Sequence, residues 1–161
     1  MSLRIWMPLL GTLENKGSSN LVFSNENTTN ITVDTAGKIG SCYKRATKNT
    51  AGRIISNSTI LLNGDLSMCC WAKVIETQQD TAQGLLSNHA INSKTGFGLG
   101  VKQVSTTDYR ICCSTGNGNS RTYYDYYGTT NIKGAWHHLT LTYDNTAKQF
   151  QLWVDGVVEK T

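Results

Sequence analysis

The segment 135–157 reads Ala-Trp-His-His-Leu-Thr-Leu-Thr-Tyr-Asp-Asn-Thr-Ala-Lys-Gln-Phe-Gln-Leu-Trp-Val-Asp-Gly-Val, and no other stretch constrains the fold as tightly. His137, Leu139, Leu141 and Tyr143 alternate with His138, Thr140 and Thr142, the two-residue period of a half-buried strand. Asp144-Asn145-Thr146 carries turn chemistry. Phe150, Leu152 and Val154 then alternate with Gln149, Gln151 and Trp153, and Asp155-Gly156 predicts a second tight turn. The segment is a β-hairpin whose apolar face must be buried against another sheet.

The rest of the chain supports an all-β reading. A length of 161 residues suits one domain with a substantial core. There are 15 glycines and one proline, and Asn, Thr and Ser crowd the connections, as short strands joined by tight polar turns require. No window sustains a helical period. Predicted strands cover 3–10 (an edge strand, where Pro8 is tolerated), 21–23, 31–33, 53–55, 60–62, 66–74, 84–87, 96–101, 109–113 and 121–127. Asn27-Thr28-Thr29, Asn30-Ile31-Thr32 and Asn57-Ser58-Thr59 match glycosylation sequons but read as turns in so Asn- and Thr-rich a chain.

Several motifs resemble the laminin-G-like branch of the concanavalin A-like lectin/glucanase superfamily. The hairpin is similar to the family's W-H-H-V-A-L-T-Y-D, turn, L-Y-V-D-G. Ser67-Met68-Cys69-Cys70-Trp71-Ala72-Lys73 is similar to its T-I-S-A-W-V-K, and Gly37 to Tyr43 to its G-K-I-G-x-A/C-Y. The resemblance implies a two-sheet antiparallel β-sandwich, a jelly roll of concanavalin A-like type, spanning 1–161 as a single domain. Family members usually carry further strands beyond V-D-G, so the expectation is a sandwich without the usual C-terminal strands, its open edge favouring a homo-oligomer. The opening Met-Ser-Leu-Arg-Ile-Trp-Met-Pro-Leu-Leu-Gly-Thr-Leu-Glu-Asn-Lys-Gly also resembles the L-x-L-W-x-P-L-N-G-x-L-x-N-x-G start of laminin-G-like bacteriophage proteins, with Leu10 where Asn is common.

Catalysis is not expected. Glycoside hydrolysis needs two carboxylates roughly 5 to 9.5 Å apart. Hydrolases of this superfamily carry them as E-x-D-x-E or E-x-D-x-x-E, and this chain has neither; Glu76 and Asp80 fall at a strand end and in a loop. His137 and His138 point to opposite faces of a strand and lack a nucleophile motif, so they read as structural. Five cysteines at 42, 69, 70, 112 and 113 match no secreted framework and no zinc spacing. Free, partly buried thiols lead, with a bridge between the vicinal pairs or a metal as alternatives.

Binding is expected instead. Arg121-Thr122-Tyr123-Tyr124-Asp125-Tyr126-Tyr127 offers aromatic faces and hydroxyls of the kind that hold sugars, with Asn117 and Asn119 nearby to add amide hydrogen bonds. The competing reading is that alternating tyrosines simply pack both faces of a sandwich. Nucleic acid could use the same tyrosines with Arg110 and Arg121, but no nucleic-acid partner is expected. The net charge of +4 is scattered, its densest run at Lys44, Arg45 and Lys48 reading as a solvated rim. The resemblance makes calcium the one cofactor to consider, with Asp108, Asp125 and Asp144 as loop acids. No membrane insertion is expected, since no stretch is long enough to span a bilayer. No secretory leader is legible, and together with the thiols this points to folding in a host cytosol. The resulting expectation is a non-catalytic phage structural protein at the virion surface, in a tail, a fibre or the head. Its partners are host-surface carbohydrate and other virion proteins. The alternatives are an extracellular carbohydrate-binding module of a secreted bacterial protein and, less favoured, a glycoside hydrolase.

Overall fold

A computed structural model describes residues 5, 7–9, 11–45, 52–58, 64–75, 82–88, 95–117, 119 and 121–161, without the side chains of 117 and 121–125. Among these residues there is no helix. The strands are β1 (Phe23–Asn25), β2 (Ile31–Gly37), β3 (Gly40–Arg45), β4 (Ile54–Ser56), β5 (Leu66–Lys73), β6 (Ala82–Ser87), β7 (Thr95–Gln103), β8 (Tyr109–Asn117), β9 (Arg121–Tyr127), β10 (Trp136–Asp144), β11 (Gln149–Val154) and β12 (Val157–Lys160). The chain divides into two compact units, Met1–Thr59 and Ile60–Thr161.

The first unit holds two antiparallel ribbons, β1 with β4 and β2 with β3. Asn27 makes the turn before β2, its side-chain oxygen accepting from the N–H groups of Thr29 (3.2 Å) and Asn30 (3.0 Å). Lys44 pairs with Asp34 across β2 and β3, so the basic run is partly neutralised from its own hairpin. The edge strand expected over 3–10 is not formed by the residues described there. Ile5 and Met7 to Leu9 are irregular, Pro8 has no N–H to donate, and Leu9 turns the chain with φ of 56°. The strand expected at 21–23 begins only at Phe23. The one expected at 60–62 lies outside the described residues, as do Glu76, Asp80 and Lys48.

The second unit is the two-sheet antiparallel β-sandwich. One sheet has the order β12-β11-β10-β5 and the other β6-β7-β8-β9. The hairpin of β10 and β11 pairs Leu139 with Val154 and Leu141 with Leu152, as its alternation requires, and β10 also pairs with β5. Leu139, Leu141, Leu152 and Val154 meet Leu99, Val101, Tyr109, Ile111 and Cys113 of the facing sheet, with Ile132, in one core. Burying each large aliphatic side chain contributes about 1.5–3 kcal/mol. Phe97 and Tyr143 pack ring to ring across the sandwich at 4.5 Å.

The Asp-Gly turn is a two-residue hairpin connection, with φ of 50° at Asp155 and 84° at Gly156. These positive values match the twist of paired strands, and Asp and Gly tolerate them better than other residues do. The turn leads into β12, a short strand not predicted from the sequence. His137 lies on the core face and pairs through Nδ1 with Asp155 at 2.8 Å. His138 lies on the outer face against Trp71, ring centroids 5.3 Å apart. The five cysteines are free thiols, with Cys112 and Cys113 fully buried and Cys69 exposed.

Candidate functional site

Strands β9 and β12 come into contact at one edge of the sandwich. There a surface depression of about 340 Å³ is lined by Arg110, Tyr126, Tyr127, Gly128, Thr129 and Lys160. Tyr126 sits opposite Cys113 on β8 and so turns toward the other sheet. Its ring meets Phe150 edge-on at 5.2 Å while 41% of the residue remains exposed. Tyr127, opposite Cys112, points the other way, and the Lys102 ammonium lies 5.1 Å from its ring centroid. One tyrosine is thus anchored by the sandwich and the other by a cation.

The wall beside them is held by two carboxylates. Asp108 Oδ2 accepts from Arg110 Nε (3.0 Å) and Nη2 (2.6 Å), and the Gly128 carbonyl accepts from Nη1 at 3.5 Å. This holds the guanidinium against the start of the 128–131 connection. Glu159 on β12 holds the same connection from the other side. Its oxygens accept from the N–H of Thr129 (2.8 Å) and of Thr130 (2.9 Å) and from their hydroxyls at 2.8 and 2.6 Å. Burial works against the charged carboxylate, but the Thr130 and Thr129 hydrogen bonds outweigh it and hold the Glu159 pKa down at about 2. Gly128 fits here because it has no side chain. A Cβ on it would stand 2.9 Å from both Ile111 Cγ2 and Glu159 Cβ.

Of the binding residues predicted from sequence, Tyr126 and Tyr127 line the depression. Tyr123 and Tyr124 lie on β9 and Asn117 at the end of β8, with side chains outside the described residues. Asn119 is exposed in the bend between the two strands. Arg110, Gly128, Thr129, Glu159 and Lys160 carried no local signal as one site. Arg110 and Lys160 are fifty positions apart, and only strand order brings them together.

Two of the three predicted calcium acids are already engaged. Asp108 Oδ2 is taken by Arg110. Asp144 Oδ1 accepts from the N–H groups of Thr146 (2.7 Å) and Ala147 (2.9 Å), shaping its own turn. The Asp125 side chain lies outside the described residues, among which no cluster of three or more His, Cys, Asp or Glu is placed to hold a metal.

Two antiparallel sheets packed on one core are the architecture of a concanavalin A-like β-sandwich. A laminin-G-type family model, described as concanavalin A-like lectin/glucanases superfamily, matches residues 46–161, and the chain belongs to this superfamily. No curated protein and no solved structure matched.

Proposed function

We propose that the sandwich is a non-catalytic glycan-binding domain, and that it belongs to a phage structural protein in which it contacts host-surface carbohydrate. The observation that carries the binding reading is the placement of Tyr126 and Tyr127 on a depression whose backbone is braced from two sides. Exposed aromatic faces beside fixed polar groups are what sugar C–H patches and hydroxyls require. Among the described side chains, Asp108 beside the depression binds Arg110 through Oδ2 and Glu159 binds the two threonines, which favours binding over hydrolysis. The phage assignment rests on the resemblance of the opening residues and on the free thiols, which suit folding in a host cytosol.

The test is a glycan array on the purified protein, with and without a chelator. Binding that survives the chelator but is lost in Tyr126→Ala and Tyr127→Ala, both shown to be folded, is the expected result. Binding lost on chelation would bring calcium back as a cofactor. Failure of the folded protein to bind any glycan would leave particle decoration as its role. Antibody to the domain should label released particles and block their adsorption. Recovery of the protein in culture medium with a trimmed leader would favour the secreted-module reading instead.

A further inference from the structure

We infer that the depression selects an anionic sugar unit, one bearing a carboxylate or a sulfate, through Arg110 and Lys160. This rests on the glycan-binding reading and names its ligand class.

A guanidinium has five N–H groups. In Arg110, Asp108 takes one from Nε and one from Nη2, and the Gly128 carbonyl takes one from Nη1. One N–H remains on each of Nη1 and Nη2. A fork of two donor nitrogens on one cation is what a carboxylate or sulfate, with its several acceptor oxygens, engages best. Asp108 and Gly128 fix its direction, so little side-chain freedom is lost on binding. Arg110 lines the depression rather than lying beneath it.

Lys160 supplies a second positive charge from the other sheet, and it has no ion pair among the described residues. Its neighbour Glu159 turns both oxygens to Thr129 and Thr130 and so offers no acceptor to a ligand, while its negative charge offsets part of the positive field. Tyr126, still partly exposed, offers aromatic surface to a sugar ring, and the Lys102 ammonium over Tyr127 adds to the positive field. A neutral glycan would use the tyrosines and leave the guanidinium fork without a protein partner. An acidic one would use both.

Binding is measured for polygalacturonate, a sulfated galactan, a neutral galactan and polyglutamate, the last a polyanion without sugar. The expected result is roughly tenfold or tighter binding of one or both acidic glycans over the neutral one, weakening as salt is raised. Preference for the uronate or for the sulfate would tell the two anions apart. Arg110→Lys keeps the charge but removes the fork and should erase most of the preference. Lys160→Glu, at an exposed position on the last strand, should fold as the parent does and reduce acidic-glycan binding about tenfold. Equal binding of neutral and acidic galactan that still depends on Tyr126 would overturn this inference and leave the glycan reading standing. Polyglutamate binding as tight as either acidic glycan would overturn it as mere charge attraction. Absence of binding to every glycan would overturn both.

Discussion

Asp155 and His138 hold each other twice. The Asp155 carboxylate accepts from the His138 N–H at 2.8 Å, and the His138 carbonyl accepts from the Asp155 N–H at 2.9 Å. The other oxygen of Asp155 meets His137 Nδ1. One turn residue thereby ties the end of β11 to the start of β10 and sets where β12, the wall of the depression, begins.

Asp155→Ala should destabilise the protein by about 1–3 kcal/mol. It removes a charge-assisted hydrogen bond and places Ala at a positive φ. Asp155→Asn, which keeps an accepting oxygen and tolerates that backbone, should lose less. Urea unfolding of the two variants measures the difference.

Glu159 makes the stability depend on acid. Its pKa in the folded chain lies below its ordinary value of 4.5, at about 2. Its contribution is therefore complete above about pH 4.5 and is lost as pH falls from there through about 2. Glu159→Gln should lower stability at neutral pH and flatten this part of the acid limb. A set of urea midpoints between pH 7 and pH 2 for both proteins tests it.

Gly128→Ala should cost about 1–3 kcal/mol, because the added methyl meets Ile111 and the Glu159 Cβ, neither of which is a flexible chain end. The same variant should weaken glycan binding, since the 128–130 connection must shift. Thermal unfolding and the array, run side by side, report the two effects.

Cys69 should be the fast-reacting thiol of the β-sandwich. It is exposed on β5. Burial pushes Cys70 and Cys113 up to about 12 and raises Cys112 as well, so all three are protonated at neutral pH. Titration with a thiol reagent should show fast reaction that Cys69→Ser diminishes, with Cys112 and Cys113 modified only after unfolding.

Leu139→Ala, at a fully buried core position, should cost about 2–5 kcal/mol through the cavity it leaves. Val157→Ala, at a residue 64% exposed, should change stability by less than about 0.5 kcal/mol. Denaturation midpoints for the pair check whether β10 and not β12 carries the core.

The sequence by itself determined the strands that matter and which face of each is buried. Alternation at 139, 141, 152 and 154 is a local property, because a strand reverses its side chains at every residue. The Asp-Gly turn was legible for the same reason, its backbone demand being met by two adjacent residues. At the start of the chain the described residues, Ile5 and Met7 to Leu9, form no strand although the apolar run reads as one, because pairing is not a local property. Tertiary structure alone decided the site. Arg110, Tyr126 and Lys160 lie on three strands of two sheets, and they meet because β9 and β12 are the strands that close the same edge. That order follows from how the two sheets pack around one core, and no spacing along the chain encodes it.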